Sequence, residues 1–176
     1  MNNLNFLSPE IFISLSIMFL LILGVFKKNS PSLIHNLSIV LLLITGILIL
    51  NNPFDENVSL FSSSYIIDNL SSYMKILTIL GGAFVLSISK KYLKLFKIFL
   101  IEYPILILCS ILGMMVMISS NDLMVFYVGL ELQSLALYVL ASFNRDQLKS
   151  SESGLKYFVL SALSSGLLLY GCSLIY

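Results

Sequence analysis

The 176-residue chain is 58% hydrophobic and only 11% charged, with a formal net charge of +1. A soluble domain of this size has no way to hide so much apolar surface. Nothing sizeable lies between the apolar stretches, which excludes a soluble unit for a nucleotide, a flavin or an iron–sulfur cluster, and no nucleic-acid partner is expected.

Six stretches approach the roughly 20 residues that cross a hydrocarbon core. They are residues 9–26, 33–50, 69–89, 104–119, 123–143 and 154–176. The expected fold class is therefore an all-α membrane protein with six transmembrane helices. Ahead of the first span there is neither the basic region and cleavage site of a signal peptide nor the Arg-rich character of a transit peptide, so that span is expected to be retained. Trp is absent, while Ile, Leu, Asn, Ser and Lys abound. Such usage suggests an AT-rich genome and leans towards an organelle.

Span one is followed by Lys27 and Lys28, and span two opens with His35, the one histidine of the chain. No Cys or carboxylate lies near His35 in sequence, so packing is a better reading than metal ligation. Residues 51–68, with Pro53 and many Ser and Asn, read as an outer loop. Span three carries Lys75 about two turns in and a small-residue run, Gly81-Gly82-Ala83, suited to close helix approach. Residues 90–102 interleave Lys90, Lys91, Lys94 and Lys97 with Tyr92, Leu93, Leu95, Phe96, Ile98 and Phe99. That pattern predicts a short amphipathic helix lying at the inner interface, in contact with lipid.

Span four opens with Glu102 before Pro104. Cys109 and Cys172 fall inside spans four and six, where core filling is the simpler role and a metal site is not expected. Asp122 precedes span five, where a carboxylate favours the helix dipole. Span six opens with Lys156, four residues after Glu152, and carries Ser161, Ala162, Ser164, Ser165, Gly166 and Gly171 as a packing face. Nine of the ten Lys and Arg residues fall after spans one, three and five or at the opening of span six, Lys75 being the tenth. The opposite connections carry Asp55, Glu56, Asp68 and Asp122 and no base. The positive-inside rule then puts the basic loops on the cytoplasmic or matrix side and both termini outside.

Glu131 is the one charge within span five. An ionisable side chain at membrane depth costs roughly 2.5–3.5 kcal/mol on insertion scales, so it faces a protein interior and has a task. Tyr127, Glu131, Ser134, Tyr138 and Ser142 follow at steps of four, three, four and four, which keeps them on one helix face. One reading is a hydrogen-bonding anchor between helices. The other, favoured by the hydroxyls around the acid, is part of a proton path. A cationic partner for Glu131 has to come from another helix. Lys156, Lys75 and Glu102 are the charged candidates near it, each with an ordinary alternative: interfacial snorkelling for Lys156, structural anchoring for Lys75 and Glu102.

The words GLELQSLALYVL and GLKYFVLSALSSGLLLYG, within residues 102–176, resemble the subunit-2 family of respiratory complex I (NADH–ubiquinone oxidoreductase), one of its antiporter-like membrane subunits. Over residues 1–101 the resemblance rests on helix number, topology and fragments such as YMKIL. It implies the N-terminal portion of a fourteen-helix fold, with three leading helices and a basic linker in residues 1–101. Residues 102–176 then hold the first three helices of a proton-translocation unit. It also implies that Glu131 is the acid of a proton-pumping Glu/Lys pair, that Lys156 belongs to the sixth-helix motif, and that Glu102 is the acid before the fourth-helix proline. Tyr127, Ser134, Tyr138 and Lys75 remain further candidates for the path. The implied activity is proton translocation coupled to quinone reduction, exercised only within the complex. No cofactor is expected in this chain, since NADH, FMN, iron–sulfur clusters and ubiquinone act elsewhere in such a complex.

The membrane lysines of later helices are absent from these residues. The implied partners are therefore other membrane-arm subunits, lipids, and a chain supplying the remaining helices, as in a split subunit. The expected location is the mitochondrial inner membrane, with the bacterial plasma membrane as the alternative. A non-conducting scaffold, or a subunit of a related cation/proton antiporter or membrane hydrogenase, stays open as another function.

Overall fold

A computed structural model describes residues 6–26, 30–51, 58–96 and 98–176. Its elements run α1 (Ser8–Phe26), α2 (Pro31–Leu50), β1 (Val58–Leu60), β2 (Tyr65–Ile67), α3 (Asn69–Leu95), α4 (Glu102–Ile118), α5 (Leu123–Ala141) and α6 (Leu148–Ile175). All six predicted spans are helical. Five helices are long and apolar enough to cross a membrane; α4, with 17 residues, is the shorter one. At 1.5 Å per residue it rises about 25 Å, just under a typical hydrocarbon thickness.

The helix starts are set by local chemistry. Pro31 stands in the first turn of α2, where its missing N–H is no loss. Asp68 caps α3: its carboxylate accepts from the Ser71 N–H at 2.8 Å, and the Ser71 hydroxyl returns a bond to the Asp68 N–H at 2.9 Å. Asp122 caps α5 by accepting from the Met124 N–H at 3.0 Å.

Each inner helix buries one stripe. On α1 it is Ile13, Ile17, Leu20 and Gly24; on α3 it is Ser72, Lys75, Ile79, Ala83 and Leu86. Steps of three and four keep these side chains on one face. Leu20, Leu42, Leu86, Leu108 and Met115 are fully enclosed where the stripes meet. Helix α4 is central: it packs on α1, α2, α3 and α5, so the two expected units share one continuous core. Helix α6 packs mainly on α5 and, among the described residues, buries little beyond Gly154 and Cys172.

Helices α2 and α3 run antiparallel. His35, early in α2, bonds Leu86, late in α3, and Lys90 Nζ bonds Asn36 Oδ1 at 2.6 Å. One end of the bundle thus gathers Lys90, Lys94, Glu102 and Arg145. The other end gathers Glu10, the strands, Asp68 and Asp122.

Three expectations are corrected. Residues 90–102 form no separate amphipathic helix: α3 continues through Lys90, Lys91 and Lys94 to Leu95, and residues 98–100 are non-helical. Leu, Tyr and Lys carry no helix stop, so propensity runs the helix on through the lysines to Leu95 while Leu93 stays buried. Helix α6 likewise begins at Leu148, a turn and a half before the apolar run at Gly154. The outer loop, finally, is not all loop. Its β-branched and aromatic residues pair as an antiparallel hairpin, with Val58 opposite Ile67 and Leu60 opposite Tyr65. Lys27, Lys28, Pro53, Asp55, Glu56 and Lys97, on which part of the charge argument stands, lie outside the described residues.

The hairpin is tied to the bundle through its turn. Phe61, Ser62 and Ser63 all have left-handed backbones, with φ of 51°, 55° and 71°, a conformation costing about 1–2 kcal/mol per non-glycine residue. The compensating bonds come from the α4–α5 connection. The Ile66 N–H donates to the Ser119 carbonyl at 2.8 Å, the Asn121 N–H to the Ser64 carbonyl at 3.0 Å, and Asn121 Nδ2 to the Ser63 carbonyl at 2.8 Å.

Candidate functional site

Glu131 is placed by a backbone-to-backbone contact between α4 and α5. A Cβ on Gly113 would stand 2.6 Å from the Gln133 nitrogen and 2.8 Å from the Gly129 oxygen. One on Gly129 would stand 2.9 Å from the Met117 nitrogen. The α4 and α5 backbones therefore touch, which only glycine at both positions permits. Two residues after Gly129, Glu131 is half-buried, and its Oε1 is enclosed without a hydrogen-bond partner. Among the described residues no cation is paired with it.

The hydroxyl stripe around Glu131 is bonded inward on its own helix. Ser134 donates to the Glu131 carbonyl at 3.1 Å, and Ser142 to the Tyr138 carbonyl at 3.3 Å. Tyr138 is buried and meets Tyr157 and Phe158 edge-on, at centroid distances of 4.9 and 5.8 Å. Tyr127 lies one turn before Glu131 and is half-buried. These residues share a face, but among the described residues no hydroxyl-to-hydroxyl bond links them into a chain.

The three charged candidates are bonded elsewhere. Lys156 pairs with Glu152 at 2.6 Å, both side chains more than 60% exposed. Glu102 meets Arg145 at 3.5 Å, also on the surface. Exposed pairs of this kind contribute about 0–1 kcal/mol. Lys75 is buried: its Nζ donates to Glu10 Oε1 at 2.7 Å and to the Tyr65 hydroxyl at 3.3 Å, and Tyr65 itself donates to the same Glu10 oxygen at 2.9 Å. Glu10 and Tyr65 were not foreseen. The available signal was Glu10 as the one charge of span one, on the same outer side as Lys75 by the topology argument.

His35 is fully buried; its Nε2 lies 2.8 Å from the Leu86 carbonyl and its ring packs at 5.5 Å on Phe99, while Nδ1 has no partner. Cys109 and Cys172 are free thiols.

Outside the spans, two groups are tuned. Burial, and then the Glu10 carboxylate, push the Tyr65 hydroxyl well above its ordinary range, so it acts as a proton-bearing donor. The Met124 N–H, and then the Tyr176 hydroxyl, hold Asp122 below the usual carboxylate range. Tyr176 donates to Asp122 Oδ2 at 2.9 Å and is raised by that bond, which brings the end of α6 beside the start of α5.

Residues 120–176, which contain α5 and α6, match the family model described as "NADH:quinone oxidoreductase/Mrp antiporter, TM". The chain is 83% identical, over all 176 residues, to NADH-quinone oxidoreductase subunit N of Pelagibacter ubique, of which it covers 37%. It is 52% identical over 168 residues to subunit N of Bartonella bacilliformis, covering 96% of this chain and 34% of that one. The name these relatives carry is subunit N, not subunit 2. The chain spans about a third of the length of the curated relatives it matches. A chain of respiratory complex I from Thermus thermophilus superposes with a TM-score of 0.80 at 25% identity, over 96% of this chain and 36% of that one.

Proposed function

We propose that these residues are part of a proton-translocating membrane-arm subunit of an NADH:quinone oxidoreductase, with Glu131 as a proton-holding group. The observation that carries the reading is Glu131 itself: a half-buried acid with one enclosed, unpartnered oxygen, fixed by a glycine contact inside the segment that matches the family. Its counter-charge comes from the further helices that the subunit N relatives carry beyond this third of their length, whether joined to this chain or separate. Lys156 and the Tyr127–Ser134–Tyr138 face lie nearest to those helices in the proposal, since α6 leaves most of its surface uncovered.

NADH, FMN, iron–sulfur clusters and ubiquinone act in other subunits of such a complex, and this chain contributes no redox group. The partners are the other membrane-arm subunits and lipid. The named relatives are bacterial, which favours a bacterial plasma membrane over the mitochondrial inner membrane expected from composition.

In the intact complex, Glu131→Gln lowers the number of protons moved per NADH oxidised while the complex still assembles. An unchanged proton-to-electron ratio removes Glu131 from the path. The family description also covers Mrp antiporters, which favours a cation/proton antiporter as the second reading. Co-purification with NADH dehydrogenase modules and quinone reductase activity separates the two. Unaltered pumping in every Glu131 variant leaves the scaffold role.

A further inference from the structure

The cluster under the hairpin is the other place where charge is buried. Glu10 and Lys75 have side chains 8% and 4% exposed and sit 2.7 Å apart. Replacing such a pair by apolar residues is often neutral or stabilising, so its retention in a membrane bundle asks for a task besides stability. Both donors converge on a single oxygen, Oε1, which accepts from Lys75 and from Tyr65. Among the described residues, the buried Oε2 has no hydrogen-bond partner. A carboxylate kept only as an anchor fills both oxygens, because an unmet buried acceptor is costly.

We propose that Glu10 and Lys75 form a second proton-exchanging acid–base pair, distinct from Glu131 and seated under the hairpin at the end of the bundle opposite Lys90 and Arg145. The proton adds to Oε2 of the Glu10 carboxylate and gives a neutral carboxylic acid beside the Lys75 ammonium. Release from Oε2 restores the ion pair. The net charge of the pair alternates between zero and plus one, and no other bond changes.

Tyr65 stays protonated and holds Oε1 in place, which leaves Oε2 as the basic atom. Ser119, on the connection bonded to β2, is buried beside the Tyr65 hydroxyl and interacts with it. Lys75 from α3 and Tyr65 from β2 are the titratable groups bonded to Glu10. The other helices packed on α1 bring His35 of α2 and Glu102 of α4, both at the far end of the bundle.

The inference rests on the proton-translocation reading, and the test separates the two. Infrared difference spectra are taken on reconstituted NADH:quinone oxidoreductase, with the full-length subunit, before and during NADH-driven turnover. The expected result is a carbonyl stretch of a protonated carboxyl group that disappears in Glu10→Gln, shifts in Glu10→Asp and survives in Glu131→Gln. Should Glu10→Gln fail to assemble, Tyr65→Phe, which removes one donor from the carbonyl oxygen Oε1, moves that stretch to higher frequency. A spectrum without any Glu10-sensitive stretch, or a stretch whose frequency is unmoved in Tyr65→Phe, overturns the proposal. If a Glu131-sensitive signal remains, this pair alone is lost; if both are missing, the translocation reading falls with it.

Discussion

Two glutamates of this chain show how one side-chain chemistry is put to different use by its surroundings. Glu10 is held by two donors on one oxygen, while Glu131 has an enclosed oxygen that meets no donor among the described residues. Asp122 is a third case, exposed and stabilised as the anion by the Met124 N–H and the Tyr176 hydroxyl. Because its folded pKa is depressed, the contribution is present above the ordinary carboxyl range and is lost as pH falls through the lower folded value. Amide exchange at Met124 is therefore expected to stay slow until the solution is more acid than an unperturbed aspartate requires, and then to accelerate. Asp122→Asn removes that pH dependence, and an unchanged profile in the variant contradicts the cap.

At the scale of elements, the α4–α5 contact carries the precision of the candidate site. A methyl on Gly129 would meet the Met117 backbone at 2.9 Å, and backbone cannot swing aside as a side chain can. Gly129→Ala is expected to destabilise by roughly 1–3 kcal/mol, as overpacking does. Gly81, also helical, has open space where its Cβ would stand, so Gly81→Ala is expected to stabilise by about 0.5–1 kcal/mol. Thermal unfolding of the two variants in detergent should move in opposite directions; a shared direction removes the close approach as the cause. Helix α3 teaches a related lesson. Its apolar span was legible, but its real end was not, because a membrane-depth pattern stops at Ser89 while helix propensity continues through the lysines to Leu95. The hairpin was illegible for another reason: Val58–Leu60 and Tyr65–Ile67 are three residues each, too short for alternation to register.

The whole molecule has two unlike ends. Described bases gather where Lys90, Lys94 and Arg145 lie, and the hairpin with Glu10, Asp68 and Asp122 forms the other end. A cysteine at Ser62 in the hairpin turn is expected to react with an impermeant thiol reagent from the outer side only. One at Lys149 should react from the cytoplasmic side only. Reversed or two-sided labelling refutes the orientation. Helix α6 buries little of its own surface among the described residues, and the chain spans about a third of the length of the curated relatives it matches.

Sequence alone determined the six spans, their alternation and the sidedness of charge. These follow from local hydropathy and from the fixed thickness of the bilayer, both read within one segment at a time. It also singled out Glu131, because one acid in an apolar run stands out without reference to any neighbour. Only the tertiary structure decided which base meets which acid. Lys75 lies on a buried stripe whose register against α1 and the hairpin brings it to Glu10 and Tyr65, 65 and 10 residues away. Pairing across helices depends on packing geometry that no spacing within one helix encodes.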